Sequence, residues 1–170
     1  MEEYLKQLPT LAAQSKKENQ QYFAVLKKRT PKNLDYIMQE LHDKEFEKTD
    51  CLTCGNCCKT TSPIFTEKDI ERISKSLKMK VLNFTNQYLR RDEDDFMVLK
   101  TAPCSFLDLQ NNECTIYDVH PKACSEYPHT DRRKFIQIAN LTIENTAICP
   151  ATFNIVEALK KRVPFDLSKK

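Results

Sequence analysis

The chain has 170 residues, 40% of them apolar and 30% charged, with 27 basic and 24 acidic side chains and a formal net charge of +3. That length suits one domain with a core of its own, and the charge is too mild to argue for nucleic acid by itself. No run of about 18 apolar residues occurs, so no membrane-spanning helix is expected.

The opening stretch, MEEYLKQLPTLAAQSKKENQ, lacks the basic and apolar regions of a secretory signal. A cytoplasmic location is expected, where thiols stay reduced, and eight cysteines there point to metal or redox chemistry more than to disulfides. The first fifty residues read as helical. Tyr4, Leu5, Leu8, Leu11 and Ala12 recur at helical spacing, as do Tyr22, Phe23 and Leu26, and Pro9 interrupts this stretch or starts a second helix. Thr30-Pro31 reads as an N-cap with proline in the first turn. Behind it Leu34, Ile37, Met38 and Leu41 share an apolar face.

Thr66 to Asp69 resembles a capping box and opens a helix carrying Ile70, Ile73 and Leu77. Lys78 to Lys80 break the pattern, and Val81 to Leu89 suggest a second short helix. Arg90 to Asp95 is charged and expected to be an exposed loop. Three short extended segments are expected at Phe96 to Lys100, Ser105 to Leu109 and Cys114 to Tyr117, with Asn111-Asn112 supplying the last turn. Pro121 to Glu126 suits one helical turn. Phe135 to Leu141 alternates like a strand. Ala151 to Arg162 reads as a closing helix stopped by Pro164, and the final SKK as a frayed tail. The expected fold class is therefore α+β and mainly helical. Its helices surround a cysteine-rich loop region with a few short strands. An N-terminal helical region, 1–50, packs with a metal-binding domain, 51–165, as one globular unit.

Half of the cysteines lie in CLTCGNCC, residues 51 to 58, together with the chain's single glycine, Gly55. Cysteine thiolates are soft anionic ligands for zinc or iron. Gly55 supplies the positive φ that a chain turning around a metal often needs. Cys51, Cys54 and Cys57 have the C-x-x-C-x-x-C spacing of a four-iron cluster site, for which Cys149-Pro150 offers the distant fourth ligand. Zinc tolerates the same spacing. Neighbouring side chains usually diverge, so Cys58 reads as a ligand of a second set, with Cys104, Cys114 and Cys124. His120 and His129 flank Cys124 and could bind metal or hydrogen-bond to its ligands, with direct ligation by either disfavoured, while His42 reads as surface or packing.

CLTCGNCC, PCSFLD, CTIYDVHPKACSEYP and the late CP together resemble the YkgJ-type cysteine cluster proteins, which carry the CxxCxxCC domain described as zinc- or iron-chelating. The resemblance spans Cys51 to Pro150. It implies metal binding by Cys51, Cys54, Cys57, Cys58, Cys104, Cys114, Cys124 and Cys149, with an iron–sulfur cluster (4Fe-4S) or Zn2+ as the cofactor. The family commonly has arginine before the proline and after the cysteine of its RPxxCR segment; His120 and Ser125 stand there instead. The cysteine motif is also similar to that of the flagellin lysine methylases, which are longer chains.

The first expectation is thus a metal-binding protein with a structural or redox role. The alternative is an iron–sulfur enzyme that modifies protein side chains, although no glycine-rich nucleotide loop exists. A protein substrate or partner fits either version. A nucleic-acid-binding zinc module is disfavoured by scattered basic residues, and a thioredoxin-like dithiol by the missing βαβ context.

Overall fold

A computed structural model describes residues 1–167. The helices, in chain order, are α1 (Glu2–Lys28), α2 (Leu34–Phe46), α3 (Cys51–Cys54), α4 (Asn56–Thr60), α5 (Glu67–Ser76) and α6 (Val81–Tyr88). Strands β1 (Leu89–Arg91) and β2 (Met97–Leu99) follow, then α7 (Lys122–Ser125), α8 (Ala139–Asn145) and α9 (Pro150–Arg162). The fold is mainly helical α+β, as expected. Among the described residues the one sheet is an antiparallel pair with Leu89 opposite Leu99 and Arg91 opposite Met97. No described helix is long and apolar enough to cross a membrane. The SKK tail lies outside the described residues.

The chain forms two compact units, each described on its own terms. The helical unit comprises Met1–Asp50 and the chain from Pro128 onward; the cysteine unit is Cys51–Tyr127.

In the helical unit, α1, α2, α8 and α9 enclose Tyr22, Phe23, Leu26, Met38, Phe135 and Val156. Pro9 lies inside α1 and neither interrupts nor restarts it. An interior proline costs about 3 kcal/mol or more. Burial of Leu8, Tyr22, Phe23 and Leu26 along the same face, each worth about 1.5–3 kcal/mol, offsets it.

Thr30 does not cap α2. Its hydroxyl donates to the carbonyls of Leu26 at 2.9 Å and Lys27 at 3.3 Å, closing the end of α1, and α2 starts three residues after Pro31 with Asn33 as its cap residue. Leu34, Ile37 and Met38 are buried as their spacing predicts. The closing helix α9 is also as expected, with Pro150 in its first turn.

Phe135 to Leu141 is not a strand. It is a 3-10 turn, Phe135–Ile138, running into α8. The Asp35 carboxylate accepts from the backbone N–H of Lys134 at 2.7 Å and of Phe135 at 3.1 Å. These bonds cap the start of the helical stretch. The buried apolar residues are Phe135, Ala139 and Ile143, a helical interval that the alternation of Phe135, Gln137, Ala139 and Leu141 concealed.

In the cysteine unit, α5, α6, the hairpin and the 104–119 segment enclose a core of Phe65, Ile70, Ile73, Phe84, Leu99 and Phe106. The capping box forms as predicted, with the Asp69 backbone N–H donating to the Thr66 hydroxyl at 3.2 Å and the Thr66 N–H to the Asp69 carboxylate at 3.0 Å. Lys78 takes a φ of 54° where α5 ends. Arg90 to Asp95 is more than a loop: Arg90 and Arg91 pair in β1, and Asp92 to Asp95 make the hairpin turn, with the Asp92 side chain accepting from the N–H groups of Asp94 and Phe96. Of the three extended segments, only the first is a strand. The other two meet in one bridge, Leu107 to Cys114, and Tyr117–Val119 is a 3-10 turn.

Candidate metal centre

The CLTCGNCC segment folds as two short helical pieces separated by Gly55. Cys51 and Cys54 sit at the ends of α3. Gly55 then takes φ +57°, and α4 carries Cys57 and Cys58. A side chain at position 55 would be strained in this left-handed conformation. It would also collide, since a Cβ there would lie 2.9 Å from the Asn112 side chain. Asn112 approaches so closely because its amide nitrogen donates to the Leu52 carbonyl at 2.7 Å. Asn112 itself has φ 59°, so it makes the turn before Cys114 that a glycine would usually make. One residue pair thereby joins the CLTCGNCC segment to the loop between Cys104 and Cys114.

A second joint lies one helix further on. The Cys104 N–H donates to the Cys58 carbonyl at 2.8 Å. Around Cys104 the chain turns back on itself: the Phe106 N–H donates to the Cys104 sulfur at 3.4 Å, and the Leu107 N–H to the Cys104 carbonyl at 3.1 Å. The Ile116 N–H bonds in the same way to the sulfur of Cys114. Backbone N–H groups aimed at sulfur stabilise a thiolate over a thiol. Repeated at two cysteines, each two residues after the sulfur, they are what a metal-bound thiolate requires of its surroundings.

Four sulfurs feel one another's charge. Burial pushes the Cys104 thiol up, and Cys58 and Cys114 add to it. Burial raises Cys114, with a contribution from Cys58. Burial pushes Cys124 up to about 12, reinforced by Cys58, Cys104, Cys114 and Asp69. Cys58 goes the other way, to about 7: the hydrogen bond from Cys57 is the main cause, burial opposes it, and the Lys59 ammonium assists. Three thiols held protonated within the field of one readily ionised sulfur suit a cation that would take up their negative charge when the protons leave. Cys58, Cys104, Cys114 and Cys124 thus lie within electrostatic reach of one another.

The gathering is looser than a finished coordination shell. Among the described residues, no three Cys, His, Asp or Glu side chains are drawn together tightly enough to hold one ion as they stand. Charge coupling reaches further than a zinc–sulfur bond of about 2.3 Å, so the four thiols lie within electrostatic reach of one another without being closed on a common point. The donor set fits zinc or iron, being all thiol and supported by N–H groups.

The remaining cysteines divide between the units. Cys54 is buried and Cys51 exposed. The Cys57 thiol is hydrogen-bonded to Cys58, so the vicinal side chains meet, although neighbouring residues were expected to diverge. Cys149 belongs to the helical unit, where it precedes α9 and its charge reaches Tyr4. His120 lies in the cysteine unit with its Nδ1 against the Tyr117 carbonyl and its ring beside that of Tyr117. His129 belongs to the helical unit. There too, His42 bonds to Thr130 at 2.8 Å and its ring lies on Phe46, which is the packing role expected of it.

Sequence reasoning passed over one pair at this site. Asp69 is almost wholly buried and Arg72 binds it at 2.6 Å. Burial alone would raise the Asp69 carboxyl, but hydrogen bonds from the Thr66 side chain and backbone, from Arg72 and from the Lys122 backbone hold it below its ordinary value. The capping-box pattern located Asp69; nothing in it signalled the second job of binding the segment that leads to Cys124.

The sequence pattern of the CxxCxxCC family, described as "Putative zinc- or iron-chelating domain", matches residues 50–150. No solved structure matches the chain. A match over more than half of the length places the protein: it belongs to the CxxCxxCC family.

Proposed function

We propose that this CxxCxxCC family member is a metal-binding protein whose cysteine unit holds a structural zinc or iron centre, with Cys58, Cys104, Cys114 and Cys124 as the ligands. The observation that carries the reading is the backbone geometry that ties these cysteines together, the Cys104 N–H on the Cys58 carbonyl and the Leu107 to Cys114 bridge, and the charge coupling of the four thiols agrees with it. The N–H groups turned toward Cys104 and Cys114 support it. So does the size of the unit. At Cys51–Tyr127 it falls below about 80 residues, where one hydrophobic core rarely supplies more than about 3–5 kcal/mol and a metal staple makes up the difference. Binding free energy then becomes folding free energy.

The hydrogen bond between Cys57 and Cys58 favours a second version. It brings Cys57 to the edge of the same set, and a larger centre of the iron–sulfur type, with a redox role, would use Cys57 together with Cys51 and Cys54 of the same C-x-x-C-x-x-C run. Cys149 is the eighth candidate ligand, tested by its own variant.

The test is metal and acid-labile sulfide analysis of the full chain purified without oxygen. Stoichiometric zinc without sulfide selects the structural version, and iron with matching sulfide selects the cluster. A folded protein that contains neither metal and takes up neither overturns both. Cys58→Ser and Cys149→Ser are measured alongside: full metal content in Cys58→Ser would contradict the four-thiol set, and in Cys149→Ser would remove Cys149 from the ligands.

A further inference from the structure

We propose that Asp69, with Arg72, is the positioning residue for Cys124: from α5 the pair holds the Val119–Lys122 segment so that α7 presents its cysteine to the other three thiols before a metal arrives. The inference rests on the four-thiol reading above and adds to it the residues that make the fourth ligand available.

The geometry is specific. The Asp69 side chain is almost fully enclosed and its two oxygens divide their work. Oδ2 accepts from the Thr66 N–H and hydroxyl, at 3.0 and 2.6 Å, which is the capping role. Oδ1 accepts from Arg72 at 2.6 Å and, across the unit, from the Lys122 N–H at 3.1 Å. Lys122 is the first residue of α7, and Cys124 its third. Arg72 grips the same segment from the other side: its guanidinium donates to the carbonyls of Val119 at 3.4 Å and His120 at 2.8 Å. Three backbone groups within the five residues before Cys124, the carbonyls of Val119 and His120 and the N–H of Lys122, are thus held by two side chains one turn apart on a single helix.

A capping box alone needs none of this. It is complete with Thr66 and one carboxylate oxygen. The second oxygen and the arginine are spent on a segment about fifty residues away. Its other ties are local, with Val119 packed on the core and the Cys124 and Ser125 N–H groups donating to the Pro121 carbonyl, and α7 itself is a single turn. Cys104 and Cys114, by contrast, have N–H groups turned onto their sulfurs and the Leu107 to Cys114 bridge between them. Cys124 is the ligand that depends on a distant anchor. Burial of Asp69 explains why the anchor is a carboxylate: a buried charge with four donors around it has one low-energy arrangement and resists displacement. Partners of this kind, which hold ligands without touching the metal, are typically worth about 10–100-fold in metal affinity.

The test uses Co2+ as a spectroscopic stand-in for zinc, titrated into the full metal-free chain under reducing conditions. The intensity of the sulfur-to-cobalt charge-transfer band follows the number of thiolates bound. Cys124→Ser sets the three-thiolate reference. Asp69→Asn keeps the shape but cannot serve four donors, and is expected to bind Co2+ about 10–100-fold more weakly with a band reduced toward that of Cys124→Ser. Arg72→Gln leaves the capping box and the buried carboxylate in place, so it reports on the grip even if Asp69→Asn fails to fold; a several-fold faster release of Co2+ to a chelator is expected. Thr66→Ala removes the cap and leaves Oδ1 untouched, and should lower the melting temperature with unchanged Co2+ affinity and spectrum.

Wild-type affinity and band shape in both Asp69→Asn and Arg72→Gln would overturn the proposal, as would a loss in Thr66→Ala equal to that in Asp69→Asn, which would reduce Asp69 to a helix cap. Failure of the underlying reading looks different: the wild-type chain would show no charge-transfer band, or Cys124→Ser would show an undiminished one.

Discussion

The two units of this chain solve the same problem by different means. The helical unit is built from long elements, above all the 27-residue α1 and the 13-residue α2 and α9. Their apolar stripes bury a shared core, and that burial is enough to carry an interior proline. The cysteine unit has helices of 4 to 10 residues and a two-stranded sheet. Beyond its core around Phe84, its segments are joined by single contacts at chain reversals: Asn112 to Leu52, Cys104 to Cys58, and Asp69 to Lys122. The first unit is stabilised by the area its long helices bury, the second by a smaller core and by these junctions, and Cys58 and Cys104 form one of them. The difference teaches where metal is expected to matter: in the unit that lacks long apolar faces.

Removing the metal breaks the comparison most directly. In the metal-loaded protein, a strong chelator should abolish amide protection across 51–127 and leave the helical unit protected, because structural zinc in small sites supplies about 10–16 kcal/mol of apparent folding free energy. Hydrogen exchange read by mass spectrometry checks this, and equal loss of protection in both units would deny that they differ. The converse perturbation is Leu26→Ala, which opens a cavity at a fully buried position of the helical unit. It should cost about 2–5 kcal/mol in denaturant unfolding of that unit, with metal content unchanged.

Gly55→Ala comes next. The left-handed conformation and the 2.9 Å approach to Asn112 together should cost about 2–3 kcal/mol, seen as a lower melting temperature of the cysteine unit and weaker metal binding. A neutral outcome would mean that the Asn112 junction is dispensable.

The smallest effect sharpens the contrast through pH. Tyr22 is buried and donates to the carbonyls of Leu159 and Val163, and burial pushes its hydroxyl from 10.0 up to about 12. A raised folded value means that its contribution is complete below pH 10, where the phenol is neutral in folded and unfolded chains alike. As pH rises from about 10 to about 12 the unfolded chain ionises first, and the helical unit should lose about 1–2 kcal/mol. Tyr22→Phe should remove this slope, as followed by the far-UV signal against pH.

Much of the fold is legible in the residues themselves. Thr66 to Asp69 states its capping box in four letters, Pro150 marks the start of α9, and the lone glycine marks the turn inside the cysteine segment. What escapes sequence reading is decided by partners far along the chain. Phe135 to Leu141 alternates like a strand, but the Asp35 carboxylate, about a hundred residues earlier, caps it into a helical turn. Thr30 looks like a start signal for α2 and instead closes α1, since its hydroxyl finds the carbonyls behind it. At the site, the cysteines identify themselves by density and by adjacency. Asp69 does not, because a carboxylate in a capping box gives no hint that its other oxygen is committed elsewhere.

The central claim is that Cys58, Cys104, Cys114 and Cys124 close on one metal. X-ray absorption at the metal edge of the loaded full-length protein tests it directly. The account predicts a shell dominated by four sulfurs at about 2.3 Å, falling to three in Cys58→Ser. A shell of nitrogen and oxygen donors, or a sulfur shell untouched by Cys58→Ser, would contradict it.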